Sequence, residues 1–100
     1  MKLMTKKLEK EIPAMRSTEN VENPKIAVHY FNPCGKGDWY VLEGEKQGDD
    51  WLFFGYVKGL GFDELDYFTL KELESVTIKP FGLGIERELY FGETYLNEVK

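Results

Sequence analysis

Two side chains of this 100-residue sequence belong to the types that serve most often as a catalytic base and a nucleophile. His29 is the only histidine and Cys34 the only cysteine, and a strand end and a turn separate them. They are five positions apart, and we expect nothing to orient the imidazole. We therefore interpret His29 as a sheet residue and Cys34 as an incidental thiol, and we predict no catalytic residue and no enzyme.

The other groups that could bind a metal or a cofactor are carboxylates and glycines. Asp63, Glu64 and Asp66 lie close together and could hold a hard cation, but their spacing is not that of an EF-hand loop. One histidine and one cysteine are too few for a tetrahedral zinc site. The segments GKGD and GLGFDEL lack the Lys-Ser/Thr pair of a P-loop and the third glycine of a dinucleotide site. The sequence therefore predicts no metal site and no cofactor.

The composition describes one small globular domain that spans residues 1–100. Hydrophobic residues make up 42% of the chain, which is enough for a core, and the net charge of -5 disfavours binding to a phosphate backbone. The lone cysteine excludes an internal disulfide, and no apolar run reaches the length of a membrane span or of a signal peptide core. We expect a cytoplasmic protein that does not bind membranes.

The hydrophobic pattern predicts an α+β fold, in which a small antiparallel sheet carries short helices. Thr5 caps a helix that ends near Ile12, within an N-terminal helical segment of residues 1–16. A three-strand meander follows, with one or two further strands, and the meander's strands cover residues 25–31, 39–45 and 51–59. In the first of these strands, Ile26, Val28 and Tyr30 would share a face.

The third strand is apolar on both faces, so we expect it to be central and Phe53 to lie in the core. Gly55 within it indicates a bulge or a close approach by another chain segment. Residues 59–68 read as a turn, in which Asp63 caps a single helical turn. Thr69 and Glu72 then form a capping box at the start of a helix. Residues 85–91 are predicted as a strand, with a helix as the alternative, and a terminal helix follows.

Several motifs in fixed order carry a resemblance to a known family. In chain order, the motifs are NPCGKGDWYVLEGE, WLFFGYVKGLGFDELDYFTLKELESV and GLGIERELYF. Together they resemble the bacterial family labelled domain of unknown function 2958. The resemblance covers residues 25–91, although the segment between Glu45 and Trp51 is short for that family. It implies a small accessory domain of plasmids, phages or other mobile elements, and it implies no catalytic residues.

Three hypotheses on function remain. The first is a non-catalytic module that binds another protein through the turn, with five candidate binding residues: Asp63, Glu64, Asp66, Tyr67 and Phe68. Residues 60–74 carry five carboxylates against one lysine, so an acidic mimic of nucleic acid that inhibits a DNA-binding enzyme is the alternative. The third is an enzyme with an unrecognised site, which a deep pocket lined by His29, Tyr30 and a carboxylate of shifted pKa would support.

Overall fold

We describe the protein from a computed structural model that covers residues 1–80, 82–89 and 91–100. Within these residues the chain forms three short helices and five strands. In chain order they are α1 (Lys6–Glu11), β1 (Val28–Phe31), β2 (Asp38–Gln47), β3 (Asp50–Lys58), β4 (Glu64–Thr69), α2 (Leu70–Ser75), β5 (Glu86–Arg87) and α3 (Leu96–Val99).

All five strands join one antiparallel sheet in the order β4-β3-β2-β1-β5. Strands β1 to β4 form a meander in which each strand pairs with the next, and β5 returns to pair with β1 at the opposite edge. This confirms the predicted α+β fold of a meander with further strands and short helices. It also makes β4 an edge strand, a position that matters for the site.

The helices begin where the sequence predicts. The Leu8 N–H donates to the Thr5 hydroxyl at 3.2 Å, and the Glu72 N–H donates to the Thr69 hydroxyl at 3.1 Å, so both threonines act as N-caps. Asp50, at the start of β3, adds a second cap to α2 because its carboxylate accepts the Lys71 N–H at 3.0 Å. The predicted terminal helix is α3.

Strand β3 lies inside the sheet and buries apolar side chains on both faces, as predicted. Phe53 is 0% exposed and packs in the main core cluster, which includes buried leucines of α1 and α2. Tyr56 packs on the opposite face in a smaller cluster, with Leu96 of α3. The two clusters give the sheet one thickly covered face and one thinly covered face.

Two strand predictions need correction. Strand β1 begins only at Val28, so Ile26 does not share a face with Val28 and Tyr30: it packs in the smaller cluster, while Val28 and Tyr30 pack in the main one. The predicted strand at residues 85–91 is limited to Glu86–Arg87, because only these residues pair with β1. Tyr90 lies outside the described residues.

The predicted turn at residues 59–68 is also wrong over half of its length. Instead of a single helical turn from Asp63, the chain forms strand β4, which pairs with β3 from Glu64↔Val57 to Thr69↔Leu52. Acidic residues are poor strand formers in general, and pairing with an interior strand overrides that preference here. The connection is therefore only the five residues 59–63.

Gly55 lies opposite a β-bulge of β2, where the β2–β3 register shifts between Val41 and Glu43. A Cβ atom at Gly55 would lie 1.9 Å from the Tyr40 carbonyl oxygen, so no other residue fits this backbone. The predicted close approach is confirmed, and its cause is the bulge in the neighbouring strand.

Candidate functional site

Strand β4 has two chemically different faces because side chains alternate along a strand. Leu65 and Tyr67 lie on the thinly covered face of the sheet, opposite Tyr56 and Phe54 of β3. Glu64 and Asp66 point to the other face, on which Phe68 belongs to the main core. The strand is therefore apolar on one side and acidic on the other, at an edge of the sheet.

The apolar side of β4 is open to solvent. Leu65 is 44% exposed and Tyr67 is 56% exposed, although Tyr67 also contacts the Phe54 ring at a centroid distance of 5.0 Å. Leu60 and Phe62, in the connection before β4, are exposed as well. We call residues 60–67 the β4 surface. Half of the eight large apolar side chains that are exposed among the described residues fall within it.

The outer edge of β4 pairs with no other strand in the described parts of the chain. The Tyr67 N–H donates to the Asp66 carboxylate at 2.8 Å, so this amide points away from β3. Because amides of an antiparallel strand alternate between its two sides, the Leu65 N–H faces outward with it. The outer edge therefore offers backbone groups next to the exposed apolar side chains.

The connection 59–63 is fixed at its base by a side chain. Gly59 has a positive φ of 86°, and its N–H donates to the Asp63 carboxylate at 2.9 Å. This bond closes the connection and leaves Leu60 and Phe62 on the outside. The local geometry therefore presents apolar side chains to solvent instead of folding them beneath the strand.

Four of the five predicted binding residues come together on this surface. Asp63, Glu64, Asp66 and Tyr67 are all exposed. Phe68 is not available to a partner, because it is only 5% exposed and packs on Phe53 with ring centroids 5.6 Å apart. Tyr67 and Phe68 were both predicted at a turn; in a strand, neighbouring side chains must point to opposite faces.

A groove of about 570 Å³, which no sequence pattern indicates, borders the apolar side of β4. Leu65, Tyr67 and Phe54 line one wall, and Val21 lies in the segment that forms the other. Arg16 and Lys100 also border the groove, together with acidic residues of the same segment. The groove enlarges the apolar area around Tyr67 beyond the single strand.

The segment that forms the far wall is held by a buried carboxylate, which sequence reasoning missed. Glu43 is 4% exposed and accepts the Arg16 N–H at 2.8 Å, the Thr18 N–H at 2.9 Å and the Thr18 hydroxyl. Burial alone would raise the pKa of Glu43, but these hydrogen bonds outweigh it and hold the pKa below its ordinary value. No local pattern on β2 could reveal this role, because both partners lie at least 25 positions away.

A second polar cluster surrounds His29, and both nitrogens of its ring contact a carboxylate. Its Nδ1 lies 2.7 Å from a Glu88 carboxylate oxygen and its Nε2 lies 2.7 Å from an Asp38 carboxylate oxygen. The ring stacks on Tyr40 at a centroid distance of 4.4 Å. Burial, reinforced by Asp38 and then Glu88, raises the pKa of the Tyr40 phenol. The imidazole therefore links Glu88, which follows β5, to β1 and β2, and it has no unoccupied nitrogen for Cys34.

Tyr30 does not share a pocket with His29. The two residues are neighbours on β1, so their side chains point to opposite faces of the sheet. The Tyr30 hydroxyl is buried and donates to the Leu3 carbonyl at 2.7 Å. In the part of the chain that the structure describes, no three histidine, cysteine or acidic side chains converge as a metal site, and no helix has the length and apolarity to cross a membrane.

Comparison with known protein families identifies the family of this chain. The sequence pattern of a family described as "Protein of unknown function (DUF2958)" matches residues 3–97. This range is longer than the part of the chain on which the sequence resemblance rested, and it includes α1, the whole sheet and the start of α3. No curated protein and no solved structure matches the chain.

Proposed function

Because this chain belongs to the family of unknown function DUF2958, we propose its role from its own surface: it is a non-catalytic module that binds another protein. The docking site in this proposal is the β4 surface, residues 60–67, with Tyr67 as its central anchor. The exposed partner of an aromatic pair, held against a rigid sheet, is a typical interface anchor.

One observation carries the proposal: exposed apolar side chains are concentrated on the β4 surface. Leu60, Phe62, Leu65 and Tyr67 lie within eight residues, and each is exposed. Leu65 and Tyr67 share one face of β4, and exposed apolar side chains that adjoin in this way often mark a protein-binding surface. The adjoining groove, lined by Phe54 and Val21, adds apolar area to the same region.

The carboxylates of the β4 surface favour a partner with positive charge. Asp63, Glu64 and Asp66 are exposed, and no salt bridge neutralises them within the described residues. A basic partner would be attracted to them at long range and held in register at short range. We propose that the partner presents lysine or arginine side chains beside an apolar surface.

The same features favour a protein-binding module over a mimic of nucleic acid. A mimic needs a continuous acidic surface that repeats the spacing of phosphates. On the acidic face of β4, Glu64 and Asp66 are followed by the buried Phe68, so the row of carboxylates is only two residues long. The short acidic row and the apolar pair on the other face support recognition of a protein that is both apolar and basic.

The biological setting is the less specific part of the proposal. The family resemblance implies plasmids, phages and related elements, so we propose that the module is an accessory protein of a mobile element and that it acts in the cytoplasm. Its partner would then be a protein of the host or of the element itself.

Affinity capture from cells that carry the gene tests the docking site. The test variant combines Asp63→Asn, Glu64→Gln and Asp66→Asn, which removes three negative charges from the β4 surface. The matched control combines Glu11→Gln, Glu45→Gln and Glu74→Gln, which removes three exposed charges from α1, β2 and α2. Both proteins are first shown to be folded by circular dichroism.

At low salt, where attraction between charges is least screened, the wild type and the control should capture the same protein. The test variant should capture clearly less of it. Equal capture by all three proteins would show that the acidic β4 surface is not the docking site.

A further inference from the structure

We propose that the partner binds as an added antiparallel strand along the outer edge of β4, and that its segment alternates apolar and basic residues. This inference rests on the proposed function and specifies how the β4 surface recognises its partner. It is carried by the free backbone edge and by the two-sided chemistry of β4.

The backbone edge provides the hydrogen bonds. Strand β4 is the last strand of the sheet among the described residues, and its outward amides include those of Leu65 and Tyr67. Strands at such edges accept extended segments, whose backbone bonds supply affinity while alternate side chains supply specificity. Every other pair in this sheet is antiparallel, so an antiparallel addition continues the existing twist and ladder.

The side chains of β4 determine the pattern of the added segment. On the thinly covered face, its side chains would lie beside Leu65 and Tyr67 and should be apolar. On the opposite face, they would lie beside Glu64 and Asp66 and should be lysine or arginine. Because these two sets alternate along β4, apolar and basic residues must alternate along the partner strand.

A second copy of this chain is a poor occupant of the same edge. In an antiparallel pair of two β4 strands centred on Leu65, Glu64 of one copy would lie opposite Asp66 of the other. Like charges directly opposite each other destabilise a strand pair. The carboxylates therefore disfavour self-association in this register and favour a basic segment.

Asp66 has a further part in this mechanism. In the free protein its carboxylate accepts the outward Tyr67 N–H at 2.8 Å and thus covers that donor. An added strand would bring a backbone carbonyl to accept the Tyr67 N–H in its place. The released carboxylate could then pair with a basic side chain of the added strand.

Synthetic peptides test the binding mode directly. The probe is a fluorescein-labelled heptapeptide with the sequence Lys-Val-Lys-Val-Lys-Val-Lys, titrated with the full chain at low salt and followed by anisotropy. The composition control is Val-Val-Val-Lys-Lys-Lys-Lys, which has the same charge. Two further probes carry N-methyl groups, one on all the valines and one on the three lysines that follow a valine.

The geometry predicts which N-methylated peptide fails. Partner residues opposite Leu65 and Tyr67 direct their amides toward β4 and their apolar side chains onto the thinly covered face. The amides of the basic residues face away from β4. Methylation of the valines should therefore weaken binding at least about tenfold, since it removes several backbone hydrogen bonds, and methylation of the lysines should not. The block peptide should also bind at least about tenfold more weakly.

Equal binding of the two N-methylated peptides, or of the alternating and block peptides, would overturn strand addition. Absence of binding by the alternating peptide would overturn it too. None of these results would affect the docking site itself, which is judged by capture of the natural partner with the charge variants. If capture is independent of the β4 charges, the proposed function fails whatever the peptides do.

Discussion

Phe54 and Tyr67 lie directly opposite each other on β3 and β4, with ring centroids 5.0 Å apart and planes inclined by 50°. Phe54 is partly covered by the smaller core cluster, whereas Tyr67 is 56% exposed. Phe54 of the interior strand thus packs on part of the Tyr67 ring, and the rest of that ring is exposed to solvent. A side chain fixed in this way loses little freedom when it binds, which suits an interface anchor.

Tyr67→Ser should separate binding from stability. The substitution removes one aromatic pair from an exposed site, so the free energy of unfolding should fall by no more than about 1.5 kcal/mol. Capture of the partner should be lost. Urea unfolding followed by intrinsic fluorescence measures the first effect and affinity capture the second. A variant that still captures the partner would show that Tyr67 is not an anchor.

Phe53→Ala should be among the most destabilising changes in the domain. Phe53 is fully buried and contacts the rings of Tyr30, Trp51 and Phe68. Truncation of a buried phenylalanine typically costs about 3–5 kcal/mol. The matched control, Phe62→Ala, removes the same atoms from an exposed position and should change stability by no more than about 0.5 kcal/mol. Similar urea midpoints for the two variants would contradict the packing described here.

Gly55→Ala should be strongly destabilising although it adds only a methyl group. The new Cβ would collide with the Tyr40 carbonyl oxygen, which belongs to the backbone of the bulged strand and cannot rotate away. We expect a loss of at least about 3 kcal/mol, the upper end for overpacking. Gly35→Ala is the control, because a Cβ there meets nothing within 4 Å. Thermal melts of equal midpoint would show that the bulge relaxes freely.

The carboxylate of Glu43 should make stability depend on pH. Its pKa is lowered in the folded state, so its contribution is complete above the unfolded value of about 4.5 and is lost as pH falls through the lower folded pKa. Glu43→Gln should cost about 1–3 kcal/mol at pH 7, because its amide cannot accept all the bonds from Arg16 and Thr18.

Urea titrations of the wild type and Glu43→Gln between pH 7 and pH 3 check this linkage. The difference between their free energies of unfolding should be constant down to about pH 5 and should shrink below the unfolded pKa of Glu43. A difference that stays constant to pH 3 would mean that the charge of Glu43 does not hold residues 16–18 in place.

Local sequence patterns were sufficient for much of the fold. Thr5 and Thr69 predict the starts of their helices, because N-capping depends on residues within one turn. The two-sided apolar pattern of β3 likewise identifies an interior strand, because both faces of such a strand must be covered.

Contacts between distant segments were not predictable in the same way. Residues 64–68 look like a turn in isolation, and only their pairing with β3 makes them a strand. This pairing exposes Tyr67 and buries Phe68, a distinction that depends on the strand's register. Glu43 shows the same limit, since its donors lie on a loop that has no pattern linking it to β2.

Site-specific photo-crosslinking tests the docking site most directly. A benzoylphenylalanine replaces Tyr67 on the β4 surface, or Leu89 as the control. Leu89 is equally exposed and follows β5, the strand at the other edge of the sheet. On irradiation in cells that carry the gene, position 67 should yield a discrete crosslinked protein and position 89 should not. If position 67 yields no product, or both positions yield the same one, the β4 surface is not where this protein binds its partner.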